Sequence, residues 1–159
     1  MLPETPNRAA NGCCRGFTLL ELLLAVVVAA TLTTLAVSSY SSYMEQVKVS
    51  RAEADLTAIE GRIALYQAVQ HVLPTSLSQL GEGTLLDPWG HTYYYLDFTG
   101  LQGSGQMRKD RNLVPINSDY DLYSAGADGA TKPPLLVPVS QDDVIRANNG
   151  GYVGLASAY

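Results

Sequence analysis

The apolar residues of this chain are concentrated in one continuous run near its amino terminus. The run extends from Phe17 to Val37 and contains a single charged residue, Glu21. A helix rises about 1.5 Å per residue, so the run spans roughly 30 Å, the thickness of a bilayer hydrocarbon core. The apolar part of a cleaved secretory peptide has about 7–15 residues and is therefore shorter. The run predicts a transmembrane helix.

A second apolar pattern follows, and its spacing is helical. Apolar side chains recur every three or four residues at Val49, Ala52, Leu56, Ile59, Ile63 and Tyr66. This spacing places them on one face of an amphipathic helix. The two patterns together predict one helix from about Phe17 to about His71, ended by Pro74. A coiled-coil seam is the alternative for the stripe, but the stripe is shorter than four heptads, which favours packing within the molecule.

The rest of the chain predicts short strands separated by long loops. Thr92–Phe98 and Tyr120–Ala125 have the aromatic-rich or alternating composition of strands, and Leu113–Ile116 is a third, shorter candidate. Glycines and prolines predict a loop over residues 74–91, and the polar, glycine-rich Gly100–Asn112 favours a mobile insertion.

The predicted fold class is α+β. A transmembrane segment over residues 17–37 continues into an amphipathic helix over residues 38–72, which packs on a small antiparallel sheet. The β-rich domain covers residues 73–159 and ends in an irregular carboxy-terminal loop, because prolines interrupt the pattern after the second strand.

Charge and cysteine content narrow the possible functions. The chain has 10 basic and 15 acidic residues and a net charge of −5, with no cluster of Lys and Arg after the apolar run, which argues against nucleic-acid binding. Arg8 and Arg15 precede the apolar run, so this end should stay cytoplasmic and the β-rich domain should be periplasmic. The only cysteines, Cys13 and Cys14, are adjacent, so a disulfide-stapled fold is excluded.

Glu21 is unusual because it lies inside the apolar run. A carboxylate without a partner costs about 2.5–3.5 kcal/mol near the centre of a bilayer. In a plain membrane anchor, Glu21 would simply extend toward the membrane surface. The functional alternative is a cationic partner, and a chain cut before Phe17 would carry one, because the cut creates a new amino group at the start of the helix.

The residues around Glu21 follow one another in a specific order. They read Arg15-Gly16-Phe17-Thr18-Leu19-Leu20-Glu21, and the apolar run follows. This segment resembles the prepilin cleavage motif of type IV pilins and type II secretion pseudopilins. The resemblance implies that a prepilin peptidase removes residues 1–16 by cutting between Gly16 and Phe17, and then methylates the amino group of Phe17. It also implies that Glu21 pairs with the amino group of a neighbouring subunit during assembly.

The globular half carries a second resemblance, to the major pseudopilin of type II secretion systems. The matching segments are Asp87-Pro88-Trp89-Gly90, Tyr93-Tyr94-Tyr95, the run from Asp121 to Gly129, and Asp142-Asp143-Val144. The resemblance implies the type IV pilin fold and a calcium ion bound by the Ala125 carbonyl, the Asp128 side chain, and Asp142 or Asp143.

The residues of this loop leave two interpretations open. Oxygen ligands on a loop suit calcium, but Asp-Gly is also an ordinary turn. The insertion Gln102–Asn117 and the tail after Val144 depart from the family pattern, which indicates a divergent pseudopilin or a minor pilin.

The chain lacks a recognisable catalytic pattern. His71 and His91 have no matching set of zinc ligands, and the sequence contains neither a nucleophile elbow nor a phosphate-binding glycine loop. We therefore expect a structural protein rather than an enzyme, with calcium as the one expected cofactor.

The predicted function is that of a subunit which polymerises into the periplasmic pseudopilus of a type II secretion system. A major or minor type IV pilus subunit, acting in adhesion, motility or DNA uptake, is the alternative. A membrane-anchored periplasmic binding domain or enzyme is the remaining one. Expected partners are other copies, minor pseudopilins or pilins, the prepilin peptidase and the inner-membrane assembly platform. The expected location is the inner membrane, crossed once, and after assembly the periplasm or the cell surface.

Overall fold

A computed structural model describes residues 16–111 and 113–159. The predicted leader up to residue 15, with both cysteines and both leading arginines, lies outside the described residues. The described residues form two compact units, which divide after Ser41. One α-helix, α1 (Leu19–Gln70), supplies residues to both units. The single long helix predicted from the two apolar patterns is confirmed.

In the first unit, α1 carries large apolar side chains that are exposed along its whole length. They include Leu20, Leu24, Val27, Leu32 and Leu35. By length and composition this helix is apolar enough to cross a membrane. An exposed apolar surface of this extent requires an apolar environment, either lipid or other helices.

In the second unit, the other half of α1 buries the predicted stripe. Ala52, Leu56, Ile59 and Ile63 are buried, and Val49 packs against the same core. The four buried residues recur at the spacing of one helical face, so their burial follows directly from the pattern.

The second unit also contains one antiparallel sheet of four strands. These are β1 (Tyr94–Asp97), β2 (Tyr120–Ser124), β3 (Val144–Ala147) and β4 (Tyr152–Leu155), in that spatial order. Tyr95 lies opposite Leu122, and Ile145 lies opposite Gly154. Short 3₁₀ helices lie in the connections and at the end of the chain, at Leu77–Leu80, Pro138–Ser140, Asn148–Gly150 and Ala156–Ala158. The predicted α+β fold is confirmed.

Both faces of the sheet are covered. Tyr120, Leu122 and Val144 face α1 and belong to the same core as its stripe. Ile145 and Ala147 point to the opposite face, where Ile116, Leu135 and Ala156 cover them. The loops before β2 and before β3 therefore form a third layer.

Three predictions for the β-rich part are wrong. Leu113–Ile116 is not a strand: Leu113 forms only an isolated bridge with Asp110, because Ile116 packs onto the sheet face from a loop. The carboxy-terminal part is not an irregular loop, because it contributes the β3–β4 hairpin. The segment Gly100–Asn112 is not simply a mobile insertion, since Arg108 within it is 2% exposed and held by several hydrogen bonds.

Candidate functional site

The predicted cleavage bond lies directly before α1. Thr18 is the cap of the helix: its Oγ1 accepts a hydrogen bond from the Glu21 backbone N–H at 3.2 Å, and its carbonyl accepts one from the Leu22 N–H at 3.1 Å. Gly16 and Phe17 precede the helix and are exposed, and the Phe17 side chain is 81% exposed. A bond that is exposed and outside regular structure is accessible to a peptidase.

Glu21 lies in the first turn of α1 and is exposed. An acidic side chain is favourable there because the amino-terminal end of a helix carries a partial positive charge. Residues 16–41 contain no Lys, Arg or His. Among residues 16–41, therefore, no side chain can supply Glu21 with a full positive charge. The assembly role of Glu21 stays a prediction.

The turn Asp87–Gly90 connects the region before β1 to the end of β2. Asp87 Oδ1 accepts hydrogen bonds from the backbone N–H groups of Trp89 at 3.0 Å and His91 at 2.8 Å. Asp87 Oδ2 accepts one from the buried Ser124 hydroxyl at 2.5 Å. The indole Nε1 of Trp89 donates to Glu45 Oε1 on α1 at 2.8 Å. The turn thus connects the end of β2 with α1.

The loop between β2 and β3 contains the four predicted calcium ligands. Asp142 Oδ2 accepts hydrogen bonds from the backbone N–H groups of Ala127 at 2.9 Å and Asp128 at 3.2 Å. Asp128 Oδ1 accepts one from the Ala130 N–H at 2.8 Å. Ala125 is buried. The structure therefore brings Asp142 to the segment that contains Asp128, and the carboxylates of both residues bind backbone donors.

Asp143 is completely buried. Its Oδ2 forms an ion pair with Nη2 of Arg108 and accepts a hydrogen bond from the Thr131 hydroxyl at 2.6 Å. Its Oδ1 and the Nε of Arg108 have no hydrogen-bond partner among the residues that the structure describes. Burial raises the pKa of the Asp143 carboxyl, and the Thr131 hydroxyl and the Arg108 guanidinium oppose that shift.

These contacts do not form a ready set of carboxylate ligands for calcium. Calcium takes six to eight oxygen ligands, whereas Asp128, Asp142 and Asp143 each accept hydrogen bonds from nitrogen or hydroxyl donors. In the described part of the chain, no group of three or more His, Cys, Asp and Glu side chains is arranged to hold a metal ion. Calcium binding stays a prediction that rests on the resemblance alone.

Two buried arginines were missed by the sequence analysis. Arg108 pairs with Asp143, and Arg146 on β3 joins the sheet to α1. Arg146 Nε donates to Glu60 Oε1 at 2.7 Å, and its Nη1 and Nη2 donate to the two carboxylate oxygens of Asp119, both at 2.9 Å. No sequence pattern marks them, because their partners lie up to 86 positions away along the chain.

The comparisons with known proteins agree with this architecture. Residues 11–37 match the family model described as the prokaryotic N-terminal methylation motif. The chain is 31% identical to the type II secretion system core protein G of Escherichia coli K12 over 120 residues, which cover 72% of this chain and 83% of that protein.

Two further relatives carry the same name. The protein from Pseudomonas aeruginosa PAO1 is 30% identical over 135 residues, covering 72% of this chain and 84% of that protein. The protein from Dickeya chrysanthemi is 31% identical over 157 residues, covering 86% of this chain and 88% of that protein. No solved structure matches the chain.

A single amino-terminal helix with a methylation motif, followed by a small antiparallel sheet, defines the class of type IV pilin-like proteins. Within this class, the chain belongs to the family of the type II secretion system core protein G, the major pseudopilin.

Proposed function

We propose that this chain is a pseudopilin, a structural subunit of a type II protein secretion system that polymerises into a periplasmic pseudopilus. The observation that carries the proposal is the identity of about 30% to core protein G over most of both chains. The exposed apolar half of α1 supports it, because that surface needs lipid before assembly and neighbouring helices afterwards.

The proposed pathway begins in the inner membrane. The apolar half of α1 anchors the chain, and the β-rich domain faces the periplasm. The prepilin peptidase cuts between Gly16 and Phe17 and methylates Phe17. Copies then assemble with one another and with minor pseudopilins on the inner-membrane platform. The proposal assigns no enzymatic activity to the chain.

Processing is tested by mass spectrometry of the chain made with and without an active prepilin peptidase. We expect the wild type to lose residues 1–16 and to gain one methyl group when the peptidase is present, and Gly16→Ala to keep its full mass. Gly61→Ala is the matched control: a Cβ at Gly61 meets no atom within 4 Å, so this variant should be processed. An unchanged mass for the wild type with active peptidase contradicts the proposal.

The place of action is tested by deleting the gene and scoring two outcomes. We expect the loss of secreted proteins from the medium without the loss of surface filaments. Loss of surface filaments with normal secretion would instead assign the chain to a type IV pilus. Normal secretion and normal filaments would favour a membrane-anchored binding domain or enzyme.

A further inference from the structure

Arg108 is a buried cation at the meeting point of separate loop segments. It belongs to the insertion Gln102–Asn117 and is 2% exposed. Its Nη1 donates to Thr131 Oγ1 at 2.5 Å and to the Lys132 carbonyl at 2.6 Å, and its Nη2 pairs with Asp143. One guanidinium therefore binds a hydroxyl, a carbonyl and a carboxylate oxygen of the loop between β2 and β3.

Two residues of β2, Asp121 and Tyr123, hold Arg108 in position from the side of the sheet. The Arg108 backbone N–H donates to Asp121 Oδ2 on β2 at 2.6 Å. The guanidinium carbon lies 4.2 Å from the centroid of the Tyr123 ring, a cation–π arrangement. That ring is stacked on Tyr94 of β1, with the centroids 5.0 Å apart. The positive charge is thus fixed between the sheet and the loop.

A bound calcium ion in a loop neutralises carboxylates and draws oxygen atoms from distant residues to one point. The Arg108 guanidinium meets the same chemical requirement with a fixed charge and a planar set of N–H donors. We propose that Arg108 takes the place of a bound calcium ion as the cation that closes the loop between β2 and β3, so that this domain folds without divalent metal.

The neighbouring carboxylates support this replacement. The Oδ2 of Asp142 and the Oδ1 of Asp128 accept backbone N–H groups. A divalent ion at Asp143 would lie beside the guanidinium, where burial strengthens the repulsion between two positive charges. A calcium ion bound by Asp143 would therefore need Arg108 to leave a buried site in which its charge is paired.

The test measures melting of the full-length protein in detergent, in calcium and in the chelator EGTA. The single tryptophan, Trp89, lies in the second unit, so its fluorescence reports on that unit. We expect the wild type to melt at the same temperature in both solutions. Arg108→Met should melt roughly 10 °C or more lower in both, because it leaves the Asp143 carboxylate buried and unpaired.

Arg111→Met is the matched control, since Arg111 lies in the same insertion, carries the same charge and is exposed. It should melt like the wild type. If Arg108→Met does not fold, Arg108→Lys replaces it: this variant keeps the charge, loses the planar fork, and should melt lower than the wild type but equally in calcium and EGTA. A wild type that melts lower in EGTA overturns the proposal. So does an Arg108 variant that melts like Arg111→Met.

Discussion

Buried carboxylates connect the loops of the second unit to its sheet. Asp87, Asp121 and Asp143 are all buried, and each accepts hydrogen bonds from residues distant in sequence. Burial raises the pKa of Asp121, and the backbone N–H of Arg108 and the amide of Asn117 oppose that shift. A buried acceptor of this kind is costly to remove, because its former donors remain buried without a partner.

Asp87→Ala tests this in the turn that precedes β1. The substitution leaves the buried Ser124 hydroxyl and the backbone N–H groups of Trp89 and His91 without their acceptor. We expect the free energy of unfolding to fall by roughly 2–4 kcal/mol, measured by urea unfolding followed by tyrosine circular dichroism.

Asp97→Ala is the control for this change. Among the described residues, the Asp97 carboxylate accepts hydrogen bonds only from Thr99, which is two residues away and exposed, so its loss should cost well under half as much. Equal losses of unfolding free energy for the two variants would show that the contacts of Asp87 stabilise the fold no more than those of Asp97.

Arg146 connects the sheet to α1. It lies on β3, pairs with Glu60 on α1 and with Asp119 before β2, and its guanidinium carbon lies 4.1 Å from the centroid of the Tyr120 ring. Burial raises the pKa of the Tyr120 hydroxyl to about 12, and the Arg146 charge opposes that shift. One side chain thus connects three segments that are far apart in sequence.

Arg146→Met should weaken this connection. We expect the free energy of unfolding to fall by about 2–4 kcal/mol, because two carboxylates lose their buried partner although both are partly exposed to water. Arg62→Met is the control: Arg62 also pairs with a carboxylate, Glu82, but its side chain is 59% exposed, so the expected loss is below about 1 kcal/mol. The two variants are compared by thermal melting. Similar losses of stability would contradict the role of Arg146 in connecting the sheet to α1.

The sequence predicts the elements whose pattern is local. The stripe from Ala52 to Ile63 specifies one helical face, and the aromatic residues of Thr92–Phe98 specify the region of β1. The β3–β4 hairpin escapes prediction because Arg146 interrupts the apolar pattern of β3 and Gly154 interrupts that of β4. A buried arginine becomes compatible with a strand only once Glu60 and Asp119 are beside it, and no local pattern reveals such distant partners.

The same limit applies to the candidate sites. The motif that contains Gly16, Phe17 and Glu21 can be recognised from the sequence, because a peptidase motif is a continuous segment. The environment of Asp143 is not readable, because its partner Arg108 precedes it by 35 positions in a segment with no regular secondary structure.

At the scale of the whole molecule, the chain divides into a unit that needs an apolar environment and a unit with its own core. The first includes the exposed apolar half of α1, and the second buries residues from α1, the sheet and the loops. The only charge within the run from Phe17 to Val37 is Glu21. We therefore expect Glu21 to govern whether helices of separate copies associate.

Glu21→Gln tests this expectation, because it removes the charge and keeps the size of the side chain. The variant should be processed after Gly16 and should remain in the membrane, while the amount of filament recovered falls by roughly tenfold or more, since loss of about 1.4 kcal/mol at a contact already lowers an association constant tenfold. Filaments are quantified by cross-linking and sedimentation.

Thr31→Ala is the control, because Thr31 lies in the same run and its hydroxyl donates to the Val28 carbonyl of its own helix. It should assemble normally. Normal filament yield with Glu21→Gln would show that the carboxylate has no part in assembly.

The buried guanidinium of Arg108 has a consequence for how the second unit responds to its surroundings. A dissociable ion stabilises a protein by mass action, so its contribution shrinks as the free ion is diluted or sequestered. Arg108 is part of the chain, so its guanidinium is present in every copy of the protein. The stability of the loop closed by Arg108 therefore does not depend on the concentration of divalent ions in the medium.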